Sequence, residues 1–524
     1  MSQTATIAPL ALPRDYNAAT HFIDRHLGEG RGDKIAFIDD HGSYSYRDLA
    51  ERVNRAGNVL KSLGVGMESR VLLCLLDGID FPALFWGAIK LGAVPVPVNT
   101  LLTAADYAYM LRDSRAKVLV VSDALYERFA GIVADQPHLQ AMLVSGTSPD
   151  PAWREFAALS AAASPRLETA PTTSDDAGFW LYSSGSTGTP KGAVHLQGDM
   201  VQTAVLYGQG VLGIHADDVV FSAAKLFFAY GLGNAMTFPL HVGATAVLMA
   251  ERPTPQSVMQ RLRQHRPSIF YGVPTLYAMM LADASLDRAK GSDRLRACVS
   301  AGEALPEDIA RRWKERFGVD ILDGIGSTEM LHIFVSNYPG DIAYGATGKA
   351  VPGYELRIVD DEGRDVGADE VGELLVRGPS SAVCYWNNRA KSLATFQGAW
   401  TRTGDKYTRD RDGYYRYAGR TDDMLKVGGI WVSPFEVESA LLAHPQVLEA
   451  AVIGREDADK LVKPKAYVVL QNPADASPAL AEALRAFVRD RLAPYKYPRW
   501  IEFTAELPKT ATGKIQRFKL RQQG

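Results

Sequence analysis

The chain has 524 residues, a formal net charge of −3, 47% hydrophobic residues and 22% charged residues. That length exceeds a single core and predicts two or three domains. The balanced charge, with no long block of one sign, excludes a polyanion-binding surface and hence nucleic acid as a partner. Cys74, Cys298 and Cys384, the three cysteines, sit in apolar surroundings and form neither a metal spacing nor a disulfide framework, which fits a reducing, cytoplasmic compartment.

In chain order, MSQTATIAPLALPRDYN has no basic start and no long apolar segment, so it reads as a mature chain rather than a signal peptide. RVLLCLLDG (Arg70–Gly78), ALFWGAIKLG and AVPVPVN read as strand, helix, strand. DYAYMLRDSRAKVLVVSD reads as a helix and then a strand at Lys117–Val121. The Ala-, Ser-, Thr- and Pro-rich stretch Ala158–Asp176 predicts a surface connection. The longest apolar region, Val219 to Ala250, is interrupted by Lys225, Asn234, Pro239 and His241, which argues against a membrane span. PSIFYGV, RLRACVSAG and VDILDGIG read as buried strands that end at glycine or small residues. Such alternation predicts an α/β fold of layered subdomains with largely parallel sheets, whose ligands gather at the carboxyl ends of strands. After about residue 420 the texture changes. PFEVESALLAHP and LAEALRAFVRDRL read as helices, LEAAVIG and KPKAYVVLQ as strands, and GRTDDMLKVGG as a hinge before a small α+β domain.

The stretch YSSGSTGTPKG (Tyr182–Gly192) raises the chemical question. It holds five serines and threonines, three glycines and one lysine, after the apolar run GFWL. Glycine-rich turns let backbone N–H groups converge on phosphate oxygens. The hydroxyls of Ser183, Ser184, Ser186 and Thr187 add donors and Lys191 a positive charge. A flexible linker would not need a lysine after Thr-Pro. A P-loop would need a hydroxyl after its lysine, where Gly192 stands.

This loop resembles the phosphate loop of the adenylate-forming superfamily, which includes acyl- and aryl-CoA ligases. GIGSTE (Gly324–Glu329), TRTGD (Thr401–Asp405), GRTDDMLKVGGIWVSPFEVE (Gly419–Glu438) and LPKTATGKIQR (Leu507–Arg517) match further motifs of that superfamily in the same order. The resemblance implies an AMP-binding and acid-binding domain over residues 1–421 and a small mobile domain over 422–524, pivoting at Asp422. It also implies that a carboxylate attacks the α-phosphate of ATP and expels diphosphate. Two anions must then be brought together, so cations and oriented donors are required. By the same resemblance Ser183, Ser184, Gly185, Ser186, Thr187, Gly188 and Lys191 hold the β- and γ-phosphates. Thr328 meets the α-phosphate, and Glu329 helps to hold Mg2+, a hard ion that prefers oxygen. Ala301, Gly302, Glu303, Asp323, Gly324, Ile325 and Gly326 line the adenine site, and Ile325 replaces the usual aromatic there. Asp405 receives the ribose hydroxyls beside Arg420, and Lys514 bridges the reacting carboxylate and the α-phosphate.

KLFFAYGLGN (Lys225–Asn234) stands where this superfamily builds its acid pocket. It carries no carboxylate, so it offers an amino acid's ammonium no counter-charge. Phe228, Ala229 and Tyr230, with His332 and Ile333 from STEMLHIF, predict a small flat pocket for an aromatic ring; Phe227 reads as core. The pair of segments resembles those of benzoate–CoA ligases and their hydroxy- and aminobenzoate relatives. The thiol acceptor implied is coenzyme A, with Gly428, Gly429 and Trp431 of VGGIW lining its channel. The chain stops ten residues after Lys514 without a carrier domain. Lys463 and Lys465 read as a solvated charged face, with CoA phosphates as the alternative. Benzoate or a close aryl acid, ATP, Mg2+ and CoA are thus the expected ligands, in a monomer or homodimer that needs no membrane. The rivals are a hydroxy- or aminobenzoate ligase, a freestanding enzyme loading an aryl acid onto a carrier protein, and a non-catalytic nucleotide-binding protein.

Overall fold

The structure, a computed structural model, describes residues 7–183, 189–421, 423–427, 430–457, 461–493, 495–509 and 515–523, and only the backbone of Lys426, Ile430, Trp431 and Gln523.

The first layer follows the alternation of apolar runs and amphipathic segments. The strands Val94–Pro97, Arg70–Cys74, Val118–Ser122, Ala141–Ser145 and Arg154–Glu155 lie side by side in that order, all parallel. Helices Asp80–Lys90 and Ala104–Ser114 make the crossovers. The second helix starts at a reciprocal Thr103–Asp106 cap and stops where Arg115 turns left-handed, at φ 52°. Each residue of Val118–Ser122 is buried, as expected of a parallel strand covered on both faces.

The second sheet has nine strands and carries the site. Its centre is parallel, in the order Ile321–Gly326, Ala297–Ser300, Ile269–Gly272, Val219–Ser222, Thr245–Val247 and Ile35–Asp39. Antiparallel strands close both edges. The carboxyl ends of the strands at 219, 269, 297 and 321 run into KLFFAYG, GVP, AGE and STE, so one edge of the sheet gathers those loops.

A hairpin of Ala177–Ser183 and Lys191–Leu196, with Cys384–Tyr385 added at its edge, carries the glycine-rich loop. An antiparallel sheet that includes Trp400–Arg409 and Tyr415–Arg420 follows. Beyond residue 425 the strands Val447–Glu456, Val462–Leu470 and Trp500–Phe503 pack with helices Pro434–Leu442 and Pro478–Arg489 around a core of their own. The small α+β unit read from the sequence is therefore present.

Two readings change. Ala158–Ala162 is the end of a helix, Phe156–Ala162, and the surface connection begins only after it. Lys465 is not on a solvated face: its side chain is buried, its Nζ pairs with Glu502 at 2.9 Å, and the charge lies over the Tyr467 ring. The strand Val462–Leu470 is buried without a break from Pro464 onward, with Ala466, Val468 and Leu470 in one apolar cluster and Tyr467 and Val469 in another, so both of its faces are covered. The apolar surroundings read for the cysteines are present: Cys74 and Cys298 are buried, and Cys384, half-buried, packs against the same apolar cluster as Cys74. No helix among the described residues is long and apolar enough to cross a membrane.

Candidate active site

A cleft of about 1190 Å³ lies between the nine-stranded sheet, the 400–420 hairpin and the C-terminal unit. The stems of the glycine-rich loop border it. Ser183 pairs with Lys191 and Tyr182 with Gly192 across the hairpin. Tyr182 donates to Asp113 Oδ2 at 2.7 Å, and Trp386 Nε1 donates to the Asp113 carbonyl at 2.9 Å. The stems are thus anchored to the first layer before any ligand arrives. Ser184, Gly185, Ser186, Thr187 and Gly188 lie outside the described residues.

Lys191 and Glu329 face each other across this wall through Tyr385. The Tyr385 hydroxyl donates to Glu329 Oε1 at 2.7 Å, and Lys191 Nζ sits 4.7 Å above the Tyr385 ring. Ser183 Oγ adds a longer bond to the same carboxylate oxygen, at 3.4 Å. Burial lowers the pKa of Lys191, and the Glu329 charge works against that fall. Burial, reinforced by Glu329, raises the pKa of Tyr385, which keeps its proton as a donor. Thr328 lines the cleft beside Glu329.

Gly302, Glu303, Asp323, Gly324, Ile325 and Gly326 all line the cleft, whereas Ala301 is buried behind it. Glu303 accepts from Thr275 Oγ1 at 3.1 Å. Burial raises the Asp323 carboxyl well above the usual range, and Asp323 Oδ1 has no hydrogen-bond partner among the described residues. Asp405 and Arg420 are cross-strand partners with a 3.1 Å ion pair, and both border the cleft. Gly404 beside them has φ 72°, and a Cβ there would come within 3.2 Å of Arg420, so glycine keeps this turn open.

Of the residues expected to form an acid pocket, Ala229, Tyr230, His332 and Ile333 lie behind the cleft lining. Phe228 lines the cleft and Phe227 is core. Ala229 and Tyr230 open a short helix, Ala229–Leu232. The Tyr230 hydroxyl lies within donating distance of the carbonyls of Gly272 and Val299, at 3.2 and 3.1 Å, which ties that helix to the strand ends. His332 is buried among the rings of Tyr207, Tyr230 and Phe238. Its Nε2 donates towards Asn234 Oδ1 at 3.1 Å and the Tyr230 carbonyl at 3.3 Å. Burial pushes its pKa down to about 3, so the imidazole is neutral and its Nδ1 carries the lone pair. Gly233 makes room for it: a Cβ there would come within 2.4 Å of His332 Cδ2. Ile333 is buried against Gly324. Neither His332 nor Ile333 borders the large cleft.

Lys514, Asp422, Gly428 and Gly429, and the side chain of Trp431, lie outside the described residues. The segments flanking Lys514 are informative. Lys509 and Ile515 form an isolated antiparallel bridge, and Lys509, Ile515, Gln516 and Arg517 border the same cleft as Asp405 and Arg420. Arg517 makes a two-bond pair with the buried Glu438, at 2.9 and 2.8 Å, and Arg521 pairs with Asp423. The C-terminal helix is thereby held to Asp423 and to the helix Pro434–Leu442.

Sequence reasoning missed Tyr385, His195 with Asp199, and the Arg517–Glu438 pair. Position 195 lies four residues after Lys191, inside the strand that follows the loop, so its proximity was readable. The partners of Tyr385 and Arg517 stand 56 and 79 residues away and left no local signal. Among the described residues no three His, Cys, Asp or Glu side chains gather as a metal cage. One carboxylate at the cleft wall fits a divalent cation that shares its oxygens with a polyphosphate.

A large α/β unit and a smaller α+β unit border one cleft that gathers Lys191, a Thr-Glu turn and an Asp–Arg pair, an arrangement of the class that binds nucleotide phosphates and ribose. Residues 24–386 match the AMP-binding enzyme family and residues 436–514 match its C-terminal domain; the chain belongs to this family. It is 61% identical over 514 residues to a benzoate–CoA ligase of Thauera aromatica, covering 98% of this chain and 97% of that protein. Its structure is similar to that of a benzoate CoA ligase from Burkholderia xenovorans LB400, with TM-score 0.90, 53% identity and coverage of 97% and 100%. An anthranilate CoA ligase in complex with anthranoyl-AMP matches with TM-score 0.94 and 46% identity, over 98% of both chains.

Proposed function

We propose that this chain is an ATP-dependent acid–thiol ligase that converts benzoate, ATP and CoA into benzoyl-CoA, AMP and diphosphate through benzoyl-adenylate. The observation that carries this is the likeness to benzoate–CoA ligases along nearly the whole chain. The gathering of Ser183, Lys191, Thr328, Glu329, Asp405 and Arg420 around one cleft supports it.

In the first half-reaction a benzoate oxygen attacks the α-phosphorus and the bond to the β-phosphate oxygen breaks. Lys191 and the 184–188 loop take up charge on the departing diphosphate, and Lys514 neutralises charge between carboxylate and α-phosphate. Thr328 orients the α-phosphate. Asp405 receives the ribose hydroxyls, and the unpartnered Asp323 oxygen suits a polar edge of adenine. Mg2+, held by Glu329 and phosphate oxygens, would supply Lewis-acid charge neutralisation. In the second half-reaction the CoA sulfur, having lost its proton, attacks the acyl carbon and AMP leaves. The domain over 422–524 pivots at Asp422 between the two steps, which brings Gly428, Gly429 and Trp431 to the thiol. Ala229, Tyr230, His332 and Ile333 wall the aryl ring. The enzyme works in the cytoplasm as a monomer or homodimer.

The test is diphosphate release with benzoate, acetate, octanoate and amino acids, followed by thioester formation on adding CoA. Benzoate is expected to have the highest kcat/KM. Equal turnover of octanoate overturns the pocket reading, and diphosphate release that CoA does not convert to thioester overturns the ligase reading. Aminobenzoate is the second substrate class, favoured by the 46% likeness to the anthranilate enzyme.

A further inference from the structure

The turn that carries Thr328 and Glu329 is under conformational load. Leu331, a buried non-glycine residue, has φ 66°, a left-handed conformation that costs an L-residue free energy and persists only where surrounding contacts impose it. Three consecutive carbonyls of the turn are gripped from outside. The Glu329 carbonyl accepts from Ala382 N at 2.7 Å and the Met330 carbonyl from Ser380 Oγ at 2.8 Å. The Thr328 carbonyl meets His195 Nε2 at 2.7 Å.

His195 is 0% exposed and stacks on Phe179, with ring centroids 5.2 Å apart and planes 15° apart. A carbonyl can only accept, so Nε2 carries a proton. The other nitrogen, Nδ1, faces Asp199 Oδ2 at 3.1 Å, and the same oxygen accepts from Leu196 N at 3.0 Å. An imidazole lone pair facing a bare carboxylate would repel it, so a second proton lies between Nδ1 and Oδ2. The buried pair therefore holds two protons, whichever partner carries the second. Burial, which pushes the Asp199 carboxyl upward, agrees with a proton shared in this way. His195 also lies on the strand Lys191–Leu196, so its ring joins the lysine strand to the Thr328–Glu329 turn.

We propose that His195, oriented by Asp199, is a positioning residue that braces the Thr328 carbonyl and fixes the phosphate-facing turn relative to Lys191. It touches neither substrate nor nucleotide and acts through the turn. The inference rests on the reading of Thr328 as the residue that meets the α-phosphate. Misplacement of a reacting group by about 1 Å can cost on the order of a hundredfold, so the brace is expected to act on kcat rather than on benzoate binding.

The experiment measures benzoate-dependent diphosphate release for the full chain as wild type, His195→Ala, His195→Gln and Asp199→Ala, with melting temperature recorded for each. His195→Ala is expected to lower kcat by about 10- to 100-fold while the KM for benzoate stays within about twofold. His195→Gln keeps an N–H donor for the carbonyl and is expected to recover most of kcat. Asp199→Ala, which leaves the ring unheld, is expected to fall in the same direction and serves if the histidine variants do not fold. A shared-proton imidazole resonance, far downfield in the wild-type spectrum, is expected to vanish in both alanine variants. Wild-type kcat in folded His195→Ala or in folded Asp199→Ala, or a glutamine variant no better than alanine, overturns the brace. Absence of diphosphate release from the wild type would instead overturn the ligase reading.

Discussion

Tyr385→Phe removes one oxygen and leaves the ring. The lost group is the donor to Glu329 Oε1 at 2.7 Å. Among the described residues the remaining donor to that carboxylate, Ser183 Oγ at 3.4 Å, is at the outer limit of a hydrogen bond. Lys191 keeps its place over the ring at 4.7 Å, so the change isolates the Glu329 contact. Hydrogen bonds to charged groups contribute about 1.5–3 kcal/mol net. The cleft is open to water, so the lower end of that range applies, and about 1.4 kcal/mol is tenfold in rate. Diphosphate release is expected to slow about tenfold and to need more Mg2+ for half-saturation, with the KM for benzoate unchanged. Calorimetric titration of ATP with Mg2+ gives an independent reading of the weakened site. Tyr385→Ala, which also removes the surface under Lys191, is expected to lose more. A phenylalanine variant with wild-type rate and wild-type Mg2+ dependence would refute the claim that this hydroxyl holds Glu329 for the nucleotide's metal.

Four further outcomes are expected. Lys514→Ala should slow adenylation by roughly 10²–10³, the loss seen when a preorganised transition-state donor is removed, while thioester formation from supplied benzoyl-adenylate and CoA survives; equal damage to both half-reactions would show that Lys514 serves both. Arg517→Ala leaves the buried Glu438 carboxylate uncompensated and should cost about 3–5 kcal/mol in the C-terminal unit, read as a lower denaturation midpoint with the N-terminal transition unmoved. His332→Ala removes a buried ring and leaves Asn234 Oδ1 without that partner; it should raise the relative kcat/KM for bulkier ring-substituted benzoates, and an unchanged substrate ranking would make His332 a core residue only. Burial holds His21 and His26 near 3 and His241 near 4, against the ordinary 6.5. The unfolded chain therefore takes up protons first as pH falls, and stability should drop from about pH 6.5 towards 4, measured as melting temperature against pH. His332, held near 3, adds to this drop, whereas Asp77, raised by burial to about 6, and Asp199 and Asp323, also raised by burial, work in the opposite sense and offset part of it.

The sequence by itself carried the motifs and their order, and through them the resemblance to the adenylate-forming superfamily. Tyr182–Gly192, Gly324–Glu329, Thr401–Asp405 and Leu507–Arg517 are legible because each motif lies within a few consecutive residues, so the resemblance can be read without the fold. The layered α/β pattern was legible for a similar reason: a strand such as Val118–Ser122, buried throughout, must be written as a continuous apolar run. Lys465 was misread because a lysine in a strand looks solvated until the packing of both faces is known, and here the strand is central, paired on both sides and covered on both faces. Only the tertiary structure decided how the motifs are held. Glu329 finds Tyr385, Thr328 finds His195, and Arg517 finds Glu438 across separations of 56, 133 and 79 residues. Such pairs meet because sheets and crossovers bring distant strand ends to one edge. A hydroxyl, an imidazole or a guanidinium carries no mark of the partner that the fold will place 3 Å away from it.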